Sequence, residues 1–386
     1  MIYLDHNATT PLDPRVTARI VEVLRDPRLQ GNPSSIHGWG QRARAVVERA
    51  RRSIAGALGA EPLEVTLTSG GTEADNLALF GMVRSLRKKG RPHGILTSPL
   101  EHPAILSPAR TLEAVGVPLT FVDVDAMGRI PPEVVARALE EGPEIGLVSL
   151  AAANHELGNA YDVPAMVAAA RAVRPEILFH TDAVQAVGKA PVNFREWGVD
   201  LLSLSGHKFY GPKGIGALIH RRHLDLTPLL RGGHQERGRR PGSEATASIA
   251  GLGVAVELAT AELESNRAHV RELTAGLRAR LGRLDDVRLY GDPESSVGNT
   301  LSVGITGCEG QLLLINLDLM GIMVSTGSAC TAGTLGPSPA LLALGCTPEE
   351  GRSVLRISVG KGTTAAELDT LVDALPEVIA RVRAEA

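Results

Sequence analysis

Glu64-Val65-Thr66-Leu67-Thr68-Ser69-Gly70-Gly71-Thr72-Glu73 runs from a short apolar strand pattern through a glycine turn into a helical spacing over 73–87. A strand that opens directly into a helix is the first half of a βαβ unit. Further apolar runs follow at 94–97, 119–124, 145–150, 177–180, 201–204 and 215–219, with helical spacing at 132–140 and 163–173 between them. Most of these runs are continuous rather than alternating, as strands covered on both faces are. The pattern predicts an α/β fold whose mostly parallel sheet is flanked by helices. After Pro241 the texture changes to a long helical stretch, 249–284, and the domain boundary is expected near its middle. Strand patterns at 299–305 and 353–358 and helical ones at 311–320 and 364–383 then predict a smaller α+β domain.

The 386 residues, 44% hydrophobic and 22% charged, suit a globular chain of two domains. A net charge of −3 gives no electrostatic reason for binding nucleic acid or an anionic membrane. No apolar run reaches the roughly 20 residues needed to span a bilayer, and Met1 to Asn7 carries no signal-peptide pattern, so a cytoplasmic protein is expected. Three cysteines, Cys308, Cys330 and Cys346, have neither disulfide nor zinc spacing. Of these, Cys330 lies in 325–338, a loop pattern crowded with Gly, Ser, Thr and Pro.

Ligands of open α/β sheets bind beyond the carboxyl ends of the strands. Gly71 and Thr72 stand there before a helix N-terminus, a setting that favours an anion and equally serves plain capping. Other strand ends bring Glu101-His102, Thr181-Asp182 with Gln185, and Ser205-Gly206-His207-Lys208. Only six lysines exist, and only Lys208 follows a strand beside Ser205 and His207. A pyridoxal phosphate site requires such a lysine for a Schiff base and an acid at the ring nitrogen. It also needs phosphate donors and a flat partner for the ring. The basic run 231–240 reads either as a solvated loop or as a subunit edge, and His220 with His223 lacks the further ligand a metal hydrolase needs.

With these residues in place, the chain resembles the cysteine desulfurases, a family of pyridoxal-phosphate enzymes of fold type I. The resemblance rests on 3–11, Gly31-Asn32-Pro33-Ser34-Ser35, 68–73, Glu101-His102 and Asp182-Ala183-Val184-Gln185. It continues through 203–208, 210–214, Gln235-Glu236-Arg237-Gly238, Ser328-Ala329-Cys330 and Leu355-Arg356-Ile357-Ser358. It implies a large cofactor domain over 14–260 and a small one combining 1–13 with 261–386. It further implies that Lys208 holds the cofactor, Asp182 pairs with the ring nitrogen, Gln185 reaches the ring oxygen and His102 stacks on the ring.

By the same resemblance Gly71, Thr72, Ser205 and His207 hold the phosphate, with Ser243 reaching across from a second subunit of a homodimer. Arg356 would clamp the substrate carboxylate, with Asn32 beside it. Cys330 as thiolate would take the sulfur of L-cysteine as a persulfide, leaving alanine. It would pass that sulfur to an acceptor or a scaffold for iron–sulfur clusters; its only metal role would be as a transient cluster ligand. Three departures stand out. Asn154-His155 occupies a place where relatives carry two asparagines, so the ring contact falls to either residue. Ser243 replaces a threonine, and the chain stops at Ala386 without the longer tail some relatives have.

Overall fold

The computed structural model describes residues 1–142, 144–327 and 336–385. Among them the strands are β1 (Ile2–Tyr3), β2 (Val65–Thr68), β3 (Gly94–Thr97), β4 (Leu119–Phe121), β5 (Ile145–Ser149), β6 (Leu178–Asp182) and β7 (Leu201–Ser205). The remaining strands are β8 (Gly216–His220), β9 (Val287–Tyr290), β10 (Thr300–Ile305), β11 (Ile322–Met323), β12 (Ser325–Thr326) and β13 (Val354–Ser358).

Seven strands form one sheet in the order β2-β8-β7-β6-β5-β3-β4. The pairs β3/β4, β3/β5, β5/β6 and β6/β7 are parallel, whereas β8 runs antiparallel to both β2 and β7. Six strands therefore point their carboxyl ends at one edge. Side chains alternate between two cores: Ile95 and Leu147 pack with the helices Gly71–Lys88 and Pro103–Glu113, while Leu96 and Val148 pack on the opposite face. Gly216 is paired with both Thr68 and Ser205. A Cβ there would come within 2.5 Å of the Leu204 carbonyl and 2.8 Å of Gly70. Glycine thus lets β8 pass between the two strand ends that carry the glycine turn and Ser205.

The second sheet, β12-β13-β10-β9, is antiparallel, and β1 pairs in parallel with β11. Leu4 joins the core of this half, together with Val270, Leu277, Leu301, Leu355 and Leu371.

The expected single helical stretch 249–284 is instead two helices, Thr246–Ala261 and Leu263–Leu281, bent by 68°. Packing explains the break, since no proline or glycine stands at it. The first helix lies against the helices Pro14–Arg25 and Gly38–Ala57, and the second against β10 and the helix Ala365–Glu385. Glu262, at the bend, pairs with Arg15 at 2.5 Å and with Lys361 at 3.5 Å. No single helix among the described residues is long and apolar enough to cross a membrane.

Candidate active site

A cavity of about 260 Å³ opens at the carboxyl edge of the large sheet, and Gly71, Thr72, His102, Asn154, His155, Asp182, Gln185, Ser205, His207 and Lys208 all line it. At its anion end the helix Gly71–Lys88 begins immediately after the turn that follows β2. A Cβ on Gly71 would lie 2.8 Å from Val184 Cγ2, so only glycine brings this helix start so close. Thr72, Ser205 and His207 surround the positive end of the helix dipole. Glu73 Oε2 accepts from the Ser69 N–H at 2.8 Å, and Oε1 accepts from Arg240 Nε at 2.9 Å, which fastens the 231–240 run to this cradle.

The chain start builds the other wall. Lys208 Nζ donates to the carbonyls of Asn7 at 2.6 Å and Ala8 at 2.9 Å. Thr10 N–H donates to the His207 carbonyl, and His207 Nδ1 lies 3.2 Å from Thr9 Oγ1. Asn7, 2% exposed, was given no role by sequence, yet it links Lys208, Gln185, Lys189 and the His155 backbone to β10. Its carbonyl accepts from Gln185 Nε2 at 3.0 Å, its Nδ2 donates to Thr300 Oγ1 and the His155 carbonyl, and its Oδ1 accepts from Lys189 Nζ and Asn299 Nδ2. Lys189 also donates to Gln185 Oε1. Burial, with Lys208 and Arg356 nearby, pushes the Lys189 amine well below its usual range. A lysine four residues after Gln185 was the available signal, near enough in the chain for the turn after β6 to bring the two together.

Three carboxyl groups meet beneath the cavity. Asp182 Oδ1 accepts from Val184 N–H at 2.8 Å; burial raises its pKa, against that hydrogen bond and the Lys208 charge. Asp75 is raised by burial and by Asp182. Glu101, which accepts from Ala151 N–H at 2.9 Å, is pushed up to about 8 by burial. A buried acid at the end of β6 therefore gains from any cation placed against it, as a protonated ring nitrogen would be.

His102 Nδ1 accepts from Ala104 N–H at 3.0 Å and so caps the helix that follows; the ring proton is left on Nε2. Burial and the neighbouring Lys208 lower its pKa to about 4, so the ring is neutral at pH 7. It meets His155 edge-to-face, with centroids 5.0 Å apart. The two residues left open by the sequence differ in their engagement. Asn154 Oδ1 accepts from the Glu156 and Leu157 N–H groups and its Nδ2 donates to the Leu100 carbonyl, so this side chain ties its own turn together. His155 presents its ring to the cavity, held neutral by burial.

Arg356, 2% exposed, stands behind His155: Nη2 donates to Asp5 Oδ1 at 2.8 Å and Nη1 to the His155 carbonyl at 3.2 Å, while Nε has no partner among the described residues. Ser243 and Asn32 do not enter the Lys208 cavity within one chain. They line a separate groove of about 470 Å³ with Leu24 and Leu29. Cys330 lies outside the described residues; Cys308 and Cys346 are buried.

The class-V aminotransferase family model matches residues 2–371. The chain is 40% identical over 383 residues to the cysteine desulfurase IscS of Dictyoglomus turgidum, covering 99% of this chain and 95% of that one. Among solved structures, a NifS-like protein superposes with a TM-score of 0.91 at 34% identity, covering 98% of this chain and 99% of that one. A NifS-like protein from Rickettsia africae gives 0.87 at 31% identity, with the same coverage of both chains. This chain belongs to the class-V aminotransferase family.

Proposed function

We propose that this protein is a pyridoxal-phosphate-dependent cysteine desulfurase, which converts L-cysteine to L-alanine and places the sulfur on Cys330. The observation that carries the reading is one cavity in which Lys208, Asp182, His102 and the Gly71–Thr72 helix start converge. The donor set fits the cofactor: an amine, a buried acid that gains from a cation, a flat neutral imidazole and an anion cradle bordered by Ser205 and His207. Bound at Lys208, the cofactor supplies an electron sink for the carbanion formed at the Cα of an amino acid.

This chain's residues do the rest. Lys208 Nζ, aligned by the Asn7 and Ala8 carbonyls, moves the proton at Cα. His102, neutral and carrying its proton on Nε2, is a proton donor at the substrate. Arg356, already directed by Asp5 and with Nε unpartnered among the described residues, takes the carboxylate. Asn32 lies on the substrate side and Ser243 on the phosphate of the neighbouring subunit, in a homodimer that joins their shared groove to the partner's cavity. Cys330 thiolate attacks the substrate sulfur: the S–S bond forms as the Cβ–S bond breaks, and the carbon keeps the electron pair and takes up a proton. The persulfide then serves a sulfur acceptor or scaffold protein for iron–sulfur clusters. The division into 14–260 against 1–13 with 261–386 is supported by the two largely separate cores.

Borohydride reduction followed by peptide mapping should find a pyridoxyl group on Lys208. Cys330→Ala should keep the cofactor spectrum and form no persulfide from cysteine. Sulfide release at the wild-type rate by that variant, or an unlabelled Lys208, overturns the reading.

A further inference from the structure

Glu156 has no role in the scheme above, yet its carboxylate joins the cavity wall to both flanks of the Cys330 stretch. It is 5% exposed. One oxygen, Oε1, faces His155 Nε2 at 3.5 Å, and His155 in turn meets His102 inside the cavity. The other, Oε2, accepts from Ser338 Oγ at 2.6 Å. Ser338, 2% exposed, caps the helix Pro339–Ala343 by accepting from Leu341 N–H, and its own N–H donates to the Gly351 carbonyl. Gly327 approaches from the opposite flank: a Cβ there would come within 2.7 Å of Glu156 Oε2. Gly327 precedes Cys330 and Ser338 follows it, so one buried carboxylate touches the chain on either side of the cysteine.

A helix cap alone does not account for this arrangement. The Ser338 hydroxyl caps the helix by accepting, which needs no carboxylate, and burying a carboxylate is costly without a compensating partner. Among the described residues, the charged and titratable groups facing Glu156 are few. Arg356 lies close enough to favour its ionised form but is itself paired with Asp5, and His155 is kept neutral by burial with His102, Arg356 and Lys208 around it. Burial raises Glu156 to about 7, against the Ser338 hydrogen bond and the Arg356 charge.

We propose that Glu156 is a positioning residue for sulfur transfer: together with Ser338 it fixes the flanks of the Cys330 stretch against the His155–His102 wall. This rests on the desulfurase reading. The ionised carboxylate holds the Ser338 hydroxyl more strongly than the acid does, because hydrogen bonds to charged groups are the stronger ones. Transfer to Cys330 therefore depends on pH through Glu156, while attachment of the cofactor to Lys208 does not.

The test is single-turnover persulfide formation on the holoenzyme with L-cysteine at pH 6, 7 and 8, read by alkylation and mass spectrometry of the Cys330 peptide. The cofactor spectrum and the Lys208 adduct serve as controls for folding. Glu156→Gln should be about tenfold slower than wild type at pH 8, and the ratio of the two rates should fall toward unity at pH 6. Taking the ratio cancels the titration of the thiols. Ser338→Ala should lose about as much at pH 8, and the double variant no more than either single one. Wild-type rates in both variants, independent losses that multiply, or a ratio constant with pH overturn the proposal while leaving the desulfurase reading intact. Wild-type protein that forms no persulfide overturns both.

Discussion

At the residue scale, the site holds more buried acid than the chemistry of one ring nitrogen requires, and Glu101 shows the consequence. An unfolded glutamate ionises near about 4.3, whereas burial holds Glu101 protonated to about 8. Between those values the native state keeps a proton that the unfolded chain has lost, so stability falls as pH rises through that window, by up to about 1.4 kcal/mol per unit. His102 and His207, lowered to about 4, act in the opposite sense, but only below the ordinary histidine value of about 6.5. Above it Glu101 is opposed by Lys189, whose lowered amine makes stability rise with pH. The contribution of Glu101 is therefore read by difference: the melting temperature of cofactor-free Glu101→Gln should rise relative to wild type from pH 6.5 to 8. Lys208, Asp182, His102 and His207 could be placed at this edge from the sequence because each ends or closely follows a buried strand. Asn7 and Glu156 were not, because partners of each are remote in the chain: Asn7 meets His155, Gln185, Asn299 and Thr300, and Glu156 meets Ser338, only after folding.

Among the elements, the segment 231–243 is held by its side chains against an unfavourable backbone. Glu236 and Arg237 have φ of 47° and 59°, in the left-handed region that costs a non-glycine residue. Glu236 compensates through two hydrogen bonds from Arg51, at 2.8 and 2.6 Å, and one from Leu67 N–H at 2.9 Å, all buried. Arg240 adds its pair with Glu73 at the cradle. Glu236→Ala removes two of the hydrogen bonds of the buried Arg51 guanidinium, leaving it Glu48 and the Val65 carbonyl, and should cost about 3 kcal/mol in chemical denaturation. Changing Arg51 to Met as well should recover part of that loss. The strands of the large sheet were readable as continuous apolar runs, but β9 was missed: it is short and largely half-buried or exposed, so its pattern carries no clear period. The bend at Glu262 was hidden for a different reason, because alanine and leucine continue on both sides and only the packing partners differ.

For the whole molecule, the groove shared by Asn32 and Ser243 adjoins large apolar side chains left in solvent by a single chain. Leu24, in its lining, is 59% exposed, and Trp39, whose backbone lies against the groove's Gly31, is 52% exposed. Isolated exposed apolar residues are ordinary, but two beside a groove of expected function fit a subunit interface. Trp39→Asp should shift the protein from dimer to monomer in sedimentation velocity and weaken cofactor retention, since Ser243 would lose its neighbour's phosphate. A dimer of unchanged stability would remove this surface from the interface.

By itself the sequence determined the alternation of strands and helices, and with it the placement of the amine, acid, imidazole and glycine turn at strand ends. These are local facts: a strand's polarity and the residue that follows it are written consecutively in the chain. The tertiary structure alone decided the sheet order, the antiparallel insertion of β8 between β2 and β7, and the folding of the chain start over Lys208. It also tied Asn154 into its own turn, put both Asn154 and His155 at the cavity and stationed Glu156 between His155 and Ser338. Desolvation and hydrogen-bond partnership act through space, so no local pattern records them.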